Sequence, residues 1–90
     1  MRFSGAAPNP FNPMTTLHYR LPRVSHVRLK IYDAAGRLVR SLVDEVRPAG
    51  NNTVAWNGAD DGGRSVASGA YFARLVAGGE TSVRALTLVR

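Results

Sequence analysis

Two runs of the chain alternate strictly between apolar and polar residues. The apolar members are Leu17, Tyr19 and Leu21 in the first run and Val27, Leu29 and Ile31 in the second. Because successive side chains of a strand point to opposite faces, a period of two is typical of antiparallel strands with one buried face. No stretch shows the period of an amphipathic helix. The alternation therefore predicts an all-β fold.

Turn signals divide the rest of the chain into short strands. Residues 33–36, 48–51 and 78–79 are rich in types that favour tight turns, and residues 57–69 form a longer loop of Gly, Asp and Ser. Turns spaced roughly eight to twelve residues apart are typical of β-sandwiches. We predict an antiparallel immunoglobulin-like or fibronectin III-like β-sandwich of about seven strands.

Trp56 is predicted to lie in the interior of this sandwich. It shares the strand phase of Val54, which points inward. We expect its ring between the two sheets, in contact with Leu29, Ile31 and Tyr71.

The strand that follows residue 37 breaks strict alternation, because Val39 and Leu42 both look core-directed. A bulge near Ser41 would bring both side chains to the same face.

Residues 8–13, with the sequence PNPFNP, hold three of the five prolines of the chain. Proline fixes φ, lacks a backbone donor and pushes the preceding residue toward extended conformations. We predict a rigid arm without ladder hydrogen bonds, anchored by Phe11 and protected by its prolines from pairing as an edge strand. The chain is accordingly divided into an arm at residues 1–13, linking to an upstream domain, and a sandwich at residues 14–90.

Length and composition exclude several classes of protein. Ninety residues suffice for one domain with a modest core. The absence of cysteine excludes disulfides and Cys-based zinc sites. No apolar run approaches the roughly 18 residues of a membrane span, and the first residues lack the pattern of a signal peptide. If the domain is exported, its export signal is expected upstream in a longer protein.

The residues that could act as acids, bases or metal ligands show no catalytic pattern. His18 and His26 occupy polar strand positions and are interpreted as solvated. No nucleophile elbow or phosphate-binding loop is present, so we expect neither an enzyme nor a cofactor. Asn57, Asp60 and Asp61 offer oxygen ligands of the kind that calcium accepts. Such residues also cap their own turns, which is the interpretation we favour, and no metal site is assigned.

The charge balance favours acidic partners. The formal net charge is +6, and Lys30 is the only lysine among twelve basic residues. The basic residues expected on outward strand faces are Arg20, Arg28, Lys30, Arg74 and Arg84. They would attract an anionic polysaccharide, and the outward aromatics Tyr32 and Phe72 could stack on sugar rings. Nucleic-acid binding normally adds a stacking platform or a docking element that is missing here.

Several motifs in order resemble one family over essentially the whole chain. The quoted stretches are "PNPFNPMTTLHYRLP", "VRLKIYDAAGRLVRSLV", "PAGNNTVAWNGADDGGRSVASGAYFARL" and the final "LTLVR". Together they resemble the immunoglobulin-like domain family shared by bacterial C-terminal sorting domains and the flagellar hook-capping protein. Two positions depart from the family pattern: Leu38 replaces a usually polar residue, and Ala7 stands where many sorting domains carry an aromatic one.

The resemblance implies a function and its site. Members often end secreted hydrolases and serve as signals for type IX secretion and retention at the cell surface. It implies a non-catalytic C-terminal sorting and attachment module of a larger exported protein, monomeric, located at the bacterial surface or outside the cell. Its expected partners are the outer-membrane secretion machinery and a covalently linked upstream domain such as a hydrolase. The alternatives are a carbohydrate-binding or spacer domain of an extracellular glycosidase, and an assembly domain like that of the hook-capping protein.

The expected site falls into two groups of residues. The sorting signal is expected at the end of the terminal strand, which is apolar in both phases and open to edge pairing with a partner. Its residues are Leu86, Leu88, Val89 and Arg90. The structural motif residues are Pro8, Asn9, Pro10, Phe11, Asn12, Pro13, Trp56, Gly69 and Tyr71.

Overall fold

A computed structural model describes residues 2–90, which form seven strands in two sheets. The strands are β1 (Arg2–Ala7), β2 (Thr15–Leu21), β3 (Ser25–Asp33), β4 (Leu38–Arg47), β5 (Gly50–Trp56), β6 (Gly69–Ala77) and β7 (Glu80–Leu88). The smaller sheet has the order β1-β2-β5 and the larger one the order β4-β3-β6-β7. All the paired strands are antiparallel. The predicted all-β sandwich of about seven strands is confirmed.

The inner faces of the sheets bury the apolar phase of each strand. Every apolar member of the two alternating runs is at most 1% exposed. Trp56 is also 1% exposed, as expected, and belongs to the same hydrophobic cluster as Leu29 and Ile31. Its expected contact with Tyr71 is confirmed by a ring-centroid distance of 5.3 Å. The period of two therefore identified the core of β2 and β3 correctly.

Strand β4 contains two irregularities where it pairs with β3. Leu29 faces Val43, but the next residue of β3 faces Ser41, which leaves Leu42 as the extra residue. A second shift omits Val39. The bulge expected near Ser41 is therefore present, and the extra residues are the two whose side chains pack against the core.

The sandwich begins ahead of the prolines rather than after them. β1 precedes the arm and pairs with β2 from Arg2 to Ala7, and Phe3 is 8% exposed within the core. The expected boundary at residue 13 missed this strand because Gly5 and Ala6 leave it without an apolar period. The link from this segment to an upstream domain stays a prediction.

The two ends of the sandwich hold different parts of the chain. β1 starts opposite Arg20, beside the end of β2 that pairs with Gly50, and we call this end the entry pole. The other end, which holds Trp56 and the chain terminus at Arg90, is called the closing pole. The molecule measures 36 Å along its longest axis.

Two tight turns follow the sequence signals. Gly78 and Gly79 join β6 to β7 with φ of +57° and +78°, as a two-residue hairpin requires. In the turn after β3, the Asp33 carboxylate accepts hydrogen bonds from the backbone amides of Ala35 and Arg37, each at 2.9 Å. The bond from Arg37 is the main reason why the pKa of Asp33 is lowered.

Among the residues described, no helix is long and apolar enough to cross a membrane.

Candidate functional site

The proline-rich arm, residues 8–13, lies along the outer edge of β7 at the closing pole. Phe11 N donates to Thr87 O at 2.9 Å, and Val89 N donates to Phe11 O at 2.9 Å. Asn9 adds its side chain, which donates to Ala85 O at 3.1 Å and accepts from Thr87 N at 3.0 Å. The arm thus continues the larger sheet beyond β7, and it occupies the edge from Ala85 to Val89.

These contacts correct the expectation that the arm lacks ladder hydrogen bonds. Pro10 and Pro13 cannot donate, but Phe11 lies between them with its amide and carbonyl both paired to β7. The amide side chain of Asn9 takes the place of a second backbone pair. Prolines therefore did not exclude pairing here, because one free residue and one Asn side chain supply the missing donors and acceptors.

The Phe11 ring anchors the arm in the core, as predicted. Phe11 is 2% exposed, and its ring centroid lies 5.5 Å from that of Trp56 at an interplanar angle of 54°. Trp56 in turn meets Tyr71 edge to face at 5.3 Å and 69°. Tilted and edge-to-face contacts of this kind add to the gain from burial. The three rings join the arm, β5 and β6 at one point.

The polar ends of two of these rings hold residues 57–68, which we call the central loop. Trp56 Nε1 donates to Ala59 O at 2.9 Å, and the Tyr71 hydroxyl donates to Ala67 O at 2.6 Å. Burial raises the pKa of the Tyr71 hydroxyl. The aromatic cluster therefore positions both the arm and the central loop, and the buried Trp56 offers no platform for a sugar.

Arg90 ties the end of the chain to the same loop. Its guanidinium donates to Val66 O at 2.6 Å and to Gly58 O at 2.7 Å. Its backbone amide donates to the Ser68 hydroxyl at 2.9 Å. The terminal residue is thus a clamp on the central loop as well as an exposed cation.

Gly58 and Thr15 are two site residues that the sequence reasoning did not single out. Gly58 has φ of +71°, and a Cβ there would lie 2.8 Å from Arg90 Nη2 and 3.1 Å from Pro13 O. Thr15 is fully buried, and its hydroxyl donates to Pro8 O at 2.7 Å. The Trp-Asn-Gly order was a usable signal for the glycine, whereas nothing near Thr15 in the sequence indicates its partner.

The structure separates the four residues expected to form the sorting signal. Leu86 and Leu88 are each 1% exposed and pack in the core, so in the folded domain they are not available to a partner. Val89 is 49% exposed, and Arg90 is exposed although hydrogen-bonded. The edge expected to be open for pairing is occupied by the arm along this part of β7. What the folded domain presents here is the side chain of Val89 beside Arg90.

The loop oxygens considered as calcium ligands make hydrogen bonds within the protein. The Asp60 carboxylate accepts from Gly62 N and Arg64 N at 2.9 Å, and that of Asp61 accepts from Ser41 N at 3.0 Å. The Asn57 side chain accepts from Ala59 N at 3.2 Å. Within residues 2–90 no cluster of three His, Cys, Asp or Glu side chains could hold a metal.

The two histidines lie on different sheets. His18 is half-buried on β2, opposite Thr53. His26 Nε2 lies 2.6 Å from Asp44 Oδ1 on the larger sheet, and this hydrogen bond is the main cause of the lowered pKa of Asp44.

Only part of the expected basic surface is assembled. Arg28, Lys30 and Arg74 lie together around one shallow cavity on the larger sheet. Arg20 belongs to the smaller sheet, and Arg84 pairs with the buried Ala73, which places it on the opposite face of the larger sheet from Arg74. Sheet order and register therefore keep these two residues away from the other three.

Comparison with solved structures finds this fold within much longer proteins. PorZ of Porphyromonas gingivalis, described as an essential surface component of the type IX secretion system, matches with 23% identity and a TM-score of 0.69 over 96% of this chain and 11% of its own. Dimeric latent PorU of the same organism matches with 23% identity and a TM-score of 0.76 over 97% and 9%. This chain therefore spans about a tenth of either protein. These similarities show the fold.

The sequence of this chain is related to the Ig-like domain of FlgD. FlgD of Pseudomonas aeruginosa is 26% identical, with a TM-score of 0.62 over 82% of this chain and 58% of its own. No curated protein sequence matches the chain. The family described as the FlgD Ig-like domain matches residues 14–80, from just after the proline-rich arm to the start of β7. The chain belongs to the FlgD Ig-like domain family.

Proposed function

We propose that this domain is a non-catalytic C-terminal module that directs a larger exported protein to the bacterial surface and holds it there. The observation that carries the proposal is the separation of the two poles. Polypeptide leading into Arg2 arrives at the entry pole, whereas Val89 and Arg90 lie at the closing pole. An upstream domain would therefore leave Val89 and Arg90 accessible to the secretion machinery.

The surroundings of the chain end support the same proposal. Hydrogen bonds from the arm and from Arg90 hold the backbone on both sides of the Val89 side chain, which restricts its conformational freedom. A partner that recognises a preorganised segment avoids part of the entropy cost of ordering it. The likeness to PorZ, which is described as a surface component of the type IX secretion system, agrees with this role.

The experiment uses a reporter fused ahead of this domain in a host with type IX secretion. Val89→Ser changes a side chain that is 49% exposed at the closing pole, and Val24→Ser is its matched control between β2 and β3, at 63% exposure. We expect the unmodified domain and the Val24→Ser control to place the reporter at the surface, and Val89→Ser to reduce its amount there. Full surface display with Val89→Ser, or none with the unmodified domain, would reject the proposal.

Arg90→Glu requires an additional measurement. The substitution removes the guanidinium from the carbonyls of Gly58 and Val66, so lost export could follow from a weakened central loop. Its melting temperature must therefore be compared with that of the unmodified domain. A spacer domain, the alternative function, predicts that none of these substitutions affects export.

A further inference from the structure

The outer face of the larger sheet brings two cations into direct opposition. Lys30 of β3 pairs with Arg74 of β6 in the register of the sheet. The neighbours in the same row are Ser41 on β4 and Val83 on β7. This row contains no acidic residue. Directly opposed side chains of like charge destabilise a sheet, so the fold carries a cost at this position.

The acid nearest in register to these cations lies within the field of Lys30, but its ion pairs are made with other residues. Asp44 pairs with Arg28 in the adjacent row, lies 2.6 Å from His26 Nε2 and lies 3.8 Å from Arg28 Nε. Within residues 2–90, the ion pairs of the structure include neither Lys30 nor Arg74. The two cations are therefore available to an external anion.

Apolar side chains lie beside the two cations. Tyr32 faces Phe72 on β6 and Leu38 on β4; Phe72 is 36% exposed and Leu38 is 52% exposed. On the other side, Val83 is 58% exposed. The exposed Leu38 thus enlarges an apolar strip next to the cations.

A shallow cavity lies among the cations of this sheet face. It has a volume of about 160 Å³ and is lined by Arg28, Lys30, Tyr32, Arg74 and Val76. We call this cavity, with Phe72, Leu38 and Val83 around it, the cationic-apolar face.

We propose that the cationic-apolar face binds an acidic polypeptide segment whose carboxylates alternate with apolar side chains. The carboxylates pair with Lys30 and Arg74 and thereby remove the repulsion between them. The apolar side chains cover Phe72 and Leu38. This proposal is independent of the sorting role, because the face lies on the flank of the sandwich and not at the closing pole.

The composition of the face distinguishes this partner from other acidic ones. An acidic polysaccharide would satisfy the cations, but its hydroxyl groups gain nothing from the aliphatic side chains of Leu38 and Val83. A second copy of the chain, apposed through the same face, would place cations against cations. A segment carrying both carboxylates and apolar groups complements both parts of the face.

The first test uses the whole chain and short synthetic peptides. The probe alternates Glu-Glu and Leu-Leu; one control replaces Glu by Gln and a second replaces Leu by Ser. We expect the probe to shift the NMR signals of Lys30, Tyr32, Phe72 and Arg74, with affinity falling as salt is added, and each control peptide to bind more weakly. Equal binding of either control, equally tight binding of polygalacturonate at these residues, or a homodimer formed through them would overturn the proposal.

The second test uses a matched pair of charge reversals. Arg74→Glu changes the face, whereas Arg84→Glu makes the same change in net charge on the other side of the sheet. Arg74→Glu should weaken peptide binding by at least about tenfold, because it removes one ion pair and adds repulsion. It should also raise the melting temperature, since the charge opposite Lys30 becomes complementary. Arg84→Glu should leave binding unchanged.

The two readouts keep the test decisive. Unchanged binding by Arg74→Glu would overturn the proposal. A lower melting temperature for Arg74→Glu would show that the two cations do not repel in the free domain, and it would count against the site as well.

Discussion

The closing pole and the cationic-apolar face are two exposed regions of the larger sheet, and they differ in whether the chain itself satisfies their polar and charged groups. At the closing pole the arm pairs with the edge of β7, and Phe11 fills the core beside Trp56. On the cationic-apolar face, Lys30 and Arg74 face each other without an acid between them. The first region is satisfied within the chain, whereas the second gains from a partner. Regions of the second kind are those in which stability is commonly given up for function.

The largest expected effect is that of Trp56→Ala, at the centre of the closing pole. Removing a ring that is 1% exposed and contacts both Phe11 and Tyr71 should lower the free energy of unfolding by about 3–5 kcal/mol. That is a large share of the roughly 5–15 kcal/mol typical of a domain. Urea denaturation followed by circular dichroism measures the loss. A change below about 1 kcal/mol would mean that the core does not depend on this ring.

Two phenylalanines compare the regions directly. Phe11 at the closing pole is 2% exposed and Phe72 on the outer face is 36% exposed. Phe11→Ala should cost about 3 kcal/mol, whereas Phe72→Ala should cost less than about 1 kcal/mol. Hydrogen exchange adds a local measurement, because Phe11→Ala should also expose the amides of Thr87 and Val89. Equal losses for the two variants would remove the distinction between a closed and an open region.

Two glycines separate backbone strain from crowding. Gly36 and Gly58 have φ of +83° and +71°, but only at Gly58 would a Cβ meet other atoms within 4 Å. Gly36→Ala should cost about 1 kcal/mol for the left-handed backbone alone. Gly58→Ala should cost more, about 2–3 kcal/mol, since Arg90 or the arm must also move. Thermal denaturation of both variants tests this order. Similar melting temperatures would indicate that Arg90 and the arm can move aside without lowering the free energy of unfolding.

The smallest expected effect is the pH dependence of stability at Asp44, which lies beside the cationic-apolar face. Hydrogen bonding to His26, with help from Arg28 and Lys30, lowers the pKa of Asp44. A lowered pKa stabilises the fold above the unfolded value of about 3.9, and this contribution is lost as the pH falls through the native value. The difference in unfolding free energy between the parent chain and Asp44→Asn should therefore be present at pH 6 and vanish in acid. A difference that stays constant with pH would contradict the assigned cause.

Local features of the fold were predictable from the chain because they depend on near neighbours. Alternation identified the buried residues of β2 and β3, the two irregular positions of β4 predicted a bulge, and Gly78-Gly79 predicted the last hairpin. The burial of Phe11 was also predictable, since it is the one aromatic side chain of an arm that its prolines make rigid. In each case the physical cause lies within a few residues of the effect.

The candidate site was less predictable, and its errors share one origin. Leu86 and Leu88 were expected to meet a partner, but they belong to the core. Arg84 was expected on an outward strand face like Arg74, but register places it on the opposite face of the larger sheet. Their apolar or charged character was evident in the sequence. The surface on which each residue lies depends on what packs against β7. An apolar strand that is covered within the domain has the same composition as one that is free to bind a partner.

The all-β sandwich, its turns, most of its core and its family could be derived from the sequence, because strand period and turn chemistry are properties of consecutive residues. Three features depend instead on tertiary packing: the arm pairs with the edge of β7, Arg90 holds the central loop, and Lys30 lies opposite Arg74. The contact of Asn9 with Ala85 spans 76 positions of the chain. Such a contact is selected by the packing of all seven strands together, and no local pattern encodes it.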